Sequence, residues 1–343
     1  MEDFKRKVWR VSPKAGSFDR LSQQEESITS PQKGEVLIEV KAIGLNFADI
    51  FAIFGLYSAT PKGSFIPGLE FSGVVKEVGP EVSDLEVGQR VMGVSRFGAY
   101  TSHLISKKEY VIPIPEDWSF DEGAAYLVQV LTAYYGLVIL GNLQPKQNVL
   151  IHSAAGGVGI WANRIVKHFD GYTIGSIGSP KKVDFLKSEG YDDYIVRSDN
   201  FGEDLKSKLT DRDLHIVMEC IGGKVLMDSY KCLTMEGRLI TYGSANFATP
   251  GSKPNKLKLI MKYLKRPKID PMKMIQSNKG VFGFNLIYLF EHAHKMEEYL
   301  GKLEGMNLGK PIVGHTFEFS EMRKALELFL SGSTTGKVVI QVN

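Results

Sequence analysis

Apolar and polar residues alternate in short runs along the first third of the chain. Val36, Ile38 and Val40 are interleaved with Leu37, Glu39 and Lys41 in the run Gly34–Ala42, the pattern of a half-buried antiparallel strand. Similar units run Gly73–Gly79, Val87–Gly93 and Gly98–Ile105, separated by glycine-rich or acidic turns. Many short strands with such turns predict a small, mostly β domain over residues 1–121. From Ser119, a candidate helix N-cap, the pattern changes. Asp121–Leu140 is rich in Ala, Leu, Val and Tyr and reads as helical, although no run approaches 18 consecutive apolar residues. Apolar runs then alternate with helical spacing: Val149–Ile151, Tyr172–Ile177, Tyr194–Val196, Leu214–Glu219 and Gly237–Gly243. Strands separated by helices predict a doubly wound α/β domain over residues 122–270. The remainder, 271–343, ends in the strand-like Gly336–Val342 and is expected to complete the first domain, making it discontinuous.

The first strand of the α/β half breaks into Ser153-Ala154-Ala155-Gly156-Gly157-Val158-Gly159 and resumes as a helix from Ile160. Strand, glycine-rich turn and helix is the setting of a dinucleotide fingerprint, here A-x-G-x-x-G with Ala154 first. Gly156 would let backbone approach a pyrophosphate, and Gly159 would let the helix pack on its strand. The N–H groups at the helix start favour the anion. A glycine-rich turn also serves many αβ connections for backbone freedom alone.

Composition narrows the field only modestly. The chain has 343 residues, 43% hydrophobic and 24% charged, with a net charge of +3. That charge is too small to argue for nucleic acid. Two cysteines, Cys220 and Cys232, give neither a disulfide framework nor a C-x-x-C metal site, and fit a reducing compartment. The amino-terminal residues lack the apolar core of a signal peptide, so a cytoplasmic location is expected.

Several stretches, in order, resemble the zinc-free medium-chain dehydrogenase/reductases of the quinone oxidoreductase group: Gly44–Asp49, Pro67–Gly73, Leu131–Tyr134, Ser153–Gly159 and Gly237–Leu239. Val281–Leu286 makes the VAT-1 homologue branch the most similar. The resemblance implies a GroES-like substrate domain, a Rossmann domain, and NADPH in the cleft between them. Zinc relatives carry Cys where Asn46 stands and His where Leu69 stands, and neither replacement suits zinc. What the resemblance leaves is hydride delivery to a quinone or an α,β-unsaturated carbonyl. By the same resemblance a homodimer forms through the Rossmann sheet, with Gly237–Gly243 near its open edge.

The resemblance carries roles onto particular residues. Asn46 polarises the acceptor or holds the nicotinamide, or else ties down a turn. Tyr57 lines the cleft and donates to a developing enolate or phenolate, or else packs as a loop aromatic. Thr132, at a helix start, contacts the nicotinamide, or else bonds its own helix. Gly156, Gly157, Val158, Gly159, Gly243, Phe282 and Lys337 complete the expected cofactor contacts. Phe51 stands where bacterial quinone reductases of this type carry a tyrosine, which counts against simple quinone activity. Glu70 is read as a structural carboxylate between the domains.

NADPH over NADH follows from the end of the second strand, Ile177-Gly178-Ser179-Pro180-Lys181-Lys182, where no carboxylate stands to bond a ribose 2′-hydroxyl. Ser179, Lys182 and Arg197 are instead suited to a 2′-phosphate. A basic run from Lys253 to Lys273 is interleaved with Leu257, Leu259, Ile260, Met261, Tyr263 and Leu264. It fits a solvated helix joining the two domains better than a lipid-seeking one, which leaves weak contact with an anionic membrane as the alternative. A cofactor-binding protein acting on membranes or partners with little turnover is the competing functional reading.

Overall fold

The computed structural model describes residues 4–248 and 251–343. Two layered units share the cleft between them. The cofactor-type unit is an all-parallel sheet whose strands are numbered here β1 (Asn148–His152), β2 (Tyr172–Ile177), β3 (Asp193–Val196), β4 (Leu214–Glu219), β5 (Leu233–Thr241) and β6 (Gly280–Gly283). Their order is β3-β2-β1-β4-β5-β6, the doubly wound Rossmann arrangement. The central strands are apolar throughout: Val149, Leu150 and Ile151 are fully buried, as a sheet covered on both faces requires.

The substrate-type unit is a seven-stranded, mostly antiparallel sheet, flanked by the ribbon Phe4–Val11 with Leu21–Ile28. Its third predicted strand begins at Arg90 rather than Val87, because Gly88 turns the chain at φ +89. The strand Lys337–Gln341 enters this sheet between Glu35–Gly44, its antiparallel neighbour, and Val313–Glu318, its parallel one. The discontinuity expected for this domain is therefore present, but its boundary moves. β6 pairs with β5, and helix Ala293–Glu304 buries Tyr299, Leu300 and Leu303 in the core beneath β1. The chain leaves the Rossmann unit beyond residue 304, not at 270. The basic run does not join the domains; it is an insertion between β5 and β6, so β6 forms the edge of the sheet and Gly237–Gly243 lies one strand in from it.

Ser119 caps the helical stretch as expected, its Oγ accepting from the Glu122 N–H while Glu122 Oε2 accepts from the Ser119 N–H at 2.6 Å. The stretch runs Phe120–Gly123, Leu127–Tyr134 and a π-type turn Tyr135–Leu140. By length and composition Phe120–Leu140 could cross a membrane, although no uninterrupted apolar run of that length marks it in the sequence. Two thirds of it is buried, packed on Gly157–His168 and the helix Ala293–Glu304, as a core helix is.

Candidate functional site

A cleft of ≈ 950 Å³ lies between the two units and gathers most of the expected residues. Its floor on the Rossmann side is the turn after β1. Gly156 is the N-cap of helix Gly157–His168, in extended backbone, and a Cβ there would meet nothing nearer than Ser153 O at 3.2 Å. A Cβ on Gly159 would lie 2.5 Å from Ala154 O, so this glycine is required for the helix to sit against its strand. Gly157 is held against Gln129, 2.5 Å from where its Cβ would be. Gly156 therefore leaves an opening at a helix N-terminus, a shape and a potential suited to a phosphate.

At the end of β2, Lys182 and Arg197 approach each other, and neither forms an ion pair with a carboxylate among the described residues. Burial, then mutual repulsion, lowers the Lys182 pKa; burial also lowers that of Arg197. Lys182 Nζ donates to the carbonyls of Gly332 (2.7 Å) and Thr334 (2.6 Å), and Arg197 Nη1 donates to Ser176 O and Oγ, both at 3.1 Å. No acid among the described residues lines the cleft they face, and Glu219 acts on Arg197 alone, so an anion bound there would complete the charge of the pair. Ser179 caps the short turn Pro180–Lys182, and its Oγ accepts from the Lys181 N–H. The segment Gly332–Lys337 of the other domain closes over this end: Gly336 N–H donates to Ala155 O at 2.8 Å.

The middle of the cleft is fixed by a buried polar cluster that the sequence did not disclose as a unit. Glu70 Oε1 accepts from Asn46 Nδ2 (2.9 Å), Gln129 Nε2 (3.3 Å) and the Lys337 ammonium, while its Oε2 accepts from the Val128 N–H (3.1 Å). Lys337 Nζ also donates to Gln129 Oε1 (2.7 Å) and Asn46 Oδ1 (3.1 Å). Glu70 thus spans the domains as a structural carboxylate. All three protons of Lys337 are committed within the protein, so its ammonium holds Asn46 and Gln129 in place rather than reaching a cofactor. Asn46 likewise spends its amide inward, on Gly44 O, Glu70, Gln129 and Lys337.

Other expected contacts divide. Tyr57 lines the cleft, half-buried; its hydroxyl donates to Asn285 Oδ1 at 2.6 Å, and burial pushes its pKa up to about 12. Thr132 is in the second half of its helix, not at the start, and donates to Val128 O at 2.6 Å, leaving only its oxygen lone pairs for a ligand. Val158 and Gly243 line the cleft as expected. Phe282 does not: it lies on the exposed sheet edge over Arg238, 6.0 Å from the guanidinium. β6 ends at Gly283, and the turn that follows sends Phe284 and Asn285 into the cleft instead. Gln129 had only a neighbouring motif to mark it, and Asn285 lay inside Val281–Leu286 without a role assigned to it. Among the described residues no group of three or more His, Cys, Asp or Glu side chains converges on a metal-sized site.

Comparison with known proteins supplies the family. The alcohol dehydrogenase GroES-like domain matches residues 32–116 and the zinc-binding dehydrogenase domain residues 157–294. The human synaptic vesicle membrane protein VAT-1 homolog is 32% identical over 331 residues, 95% of this chain and 84% of that one. A human VAT-1 homolog-like structure superimposes with a TM-score of 0.84 at 26% identity, covering 99% and 98% of the two chains. The quinone oxidoreductase of Thermus thermophilus, solved also as a complex with NADPH, does so with a TM-score of 0.79 at 27% identity, covering 98% and 99%. With a matching sheet order, a glycine-rich turn at the start of the cleft and relatives along nearly its whole length, the chain belongs to the medium-chain dehydrogenase/reductase superfamily of oxidoreductases, close to the VAT-1 homologues.

Proposed function

We propose that the chain is an NADPH-dependent, zinc-independent reductase of quinones or α,β-unsaturated carbonyls. The observation that carries the cofactor choice is the pair Lys182 and Arg197, two half-buried cations beside the end of β2 that form no ion pair among the described residues, Glu219 acting on Arg197 only from a distance. A 2′-phosphate would complete their charge, whereas a 2′-hydroxyl would leave them repelling each other. Gly156 to Gly159 would take the pyrophosphate at the helix start, and Thr132, Gly243 and the Asn46 cluster would border the nicotinamide. When bound, NADPH supplies a hydride to an acceptor that is already electrophilic. The chain supplies the rest. Leu69, Phe51, Phe284 and Leu286 wall the acceptor end with apolar surface, which excludes water and strengthens hydrogen bonds made there. Tyr57, neutral throughout the physiological range, lines the same cleft and would give its proton to the reduced product by exchanging its hydrogen bond to Asn285 Oδ1 for one to the acceptor. Its hydrogen bond to Asn285 holds the phenol on the cleft side.

A second copy paired at the open β6 edge and a reducing, cytoplasmic compartment belong to the same proposal. Both cysteines are free, as such a compartment allows. A membrane-facing reading is favoured by one observation. In the insertion before β6, Leu257, Leu264 and Ile275 are each about 70% exposed (75%, 69% and 69%), among exposed Lys253, Lys256, Lys258, Lys265, Arg266, Lys268 and Lys273. Such a surface suits weak attachment to anionic lipid.

NADPH consumption over a panel of quinones and enones, with liposome flotation alongside, separates the readings. Turnover with at least one acceptor class is expected. Flotation on phosphatidylserine vesicles without turnover on any acceptor would replace the reductase by a membrane-acting, cofactor-binding protein.

A further inference from the structure

One side of the cleft, a branch of its lining, is built by helices Leu127–Tyr134 and Ala293–Glu304 with the residues beside them. It is lined by Leu131, Tyr110, Leu289, Phe290, Met296 and Tyr299. Its walls are mostly apolar and aromatic. Tyr110 stacks on Phe290 with ring centroids 3.9 Å apart, and its hydroxyl donates to Phe290 O at 2.7 Å, so its polar end is spent. Tyr299 is 7% exposed and packs on Tyr134 and Tyr135 at 5.5 and 6.1 Å. Among the described residues no Asp or Glu lines any part of the cleft. The one charged side chain on this branch, Lys295, is half-buried and has methylene groups to lay along the wall while its ammonium stays in water.

A small quinone or enone would leave this branch filled with water against aromatic and aliphatic carbon, a costly arrangement for a groove of this composition. We propose that the branch is a tail site: the acceptor carries an uncharged aliphatic or isoprenoid chain, laid between Tyr110–Phe290 on one side and Met296–Tyr299 on the other. The proposal rests on the reductase reading for the acceptor's head and on the branch alone for its tail. Burying one methylene stabilises a complex by about 0.8 kcal/mol, so each carbon added to the chain should raise kcat/KM roughly two- to fourfold until the branch is full.

The test uses the full chain with NADPH and vinyl ketones whose alkyl group runs from methyl to decyl. A rise in kcat/KM with chain length, carried mainly by KM, is expected. Met296→Trp and Leu289→Trp should each flatten it, collapsing the decyl-to-methyl ratio toward one, while Met296→Ala should move the optimum to longer chains. A flat series in the wild-type protein, or Trp variants that keep the wild-type ratio, would overturn the tail site. If no acceptor is turned over, calorimetry of decyl vinyl ketone binding decides separately. Binding that Met296→Trp abolishes keeps the tail site and fails the reductase; no binding to the wild-type protein fails the tail site itself.

Discussion

Lys337→Met is the sharpest test of how the cleft is held. The Lys337 and Glu70 side chains are 4% and 1% exposed and bonded to each other. Removing the ammonium leaves the Glu70 carboxylate with three N–H donors, from Asn46, Gln129 and Val128, but no neutralising charge, and leaves Gln129 Oε1 without the donor it had. Breaking a buried pair from one side costs about 3–5 kcal/mol. Glu70→Gln should cost a similar amount by stranding the ammonium. The double variant removes both charges and should cost no more than either single, a coupling of about 3–5 kcal/mol or more. Urea unfolding of the four proteins measures this, and NADPH titration should weaken in the singles as Asn46 and Gln129 lose their anchor. A single variant costing less than about 1 kcal/mol, or two singles that simply add, would show that the cluster is not one coupled unit.

Gly159→Ala should destabilise the fold by about 1–3 kcal/mol through its clash with Ala154 O, whereas Gly156→Ala should fold normally and lose cofactor affinity; thermal unfolding beside NADPH titration separates them. Arg197→Leu and Lys182→Ala should each weaken NADPH roughly 10-fold or more and leave NADH nearly unchanged, because a charge-assisted bond is worth about 1.5–3 kcal/mol; equal losses for both cofactors would place these residues elsewhere. Tyr57→Phe should lower kcat about 100-fold or more if its proton reaches the product, with little change in NADPH affinity. Burial holds the His152 pKa down at about 3, against an unfolded value near 6.5, so the unfolded chain binds more protons in between. Its contribution to stability is present above pH 6.5 and is lost as the pH falls towards 3. His152→Asn should flatten that part of a stability-against-pH curve; an unchanged slope would mean the ring is not buried neutral.

The glycine-rich turn was legible because its chemistry is local: spacing alone marks Gly156 for an open approach and Gly159 for packing. Ser119 was legible for the same reason, since its capping partner Glu122 is three residues away. The Asn46 cluster was not. Its members lie on four separate elements, and the contact from Asn46 to Lys337 joins residues 291 positions apart. No periodicity encodes that. β6 was missed as a Rossmann strand because it has four residues with glycine at both ends, too short for an alternation signal, and follows a long basic insertion. Phe282 was misplaced because the turn after Gly283 decides which side chain enters the cleft.

The strand that carries Lys337 also has a consequence for how the molecule comes into being. Glu35–Gly44, Glu70 and Gln129 are made early in synthesis, yet the sheet they belong to and the charge they surround wait for Lys337–Gln341. The Rossmann unit is built on strands that precede Lys337–Gln341 in the chain, whereas the substrate sheet lacks its next-to-edge strand until that segment is made. Until that strand threads into place, Glu70 has no counter-charge and must remain hydrated, so the cleft stays open to water. Completing the site thus requires a pairing across most of the chain, the kind of contact that is slow to form.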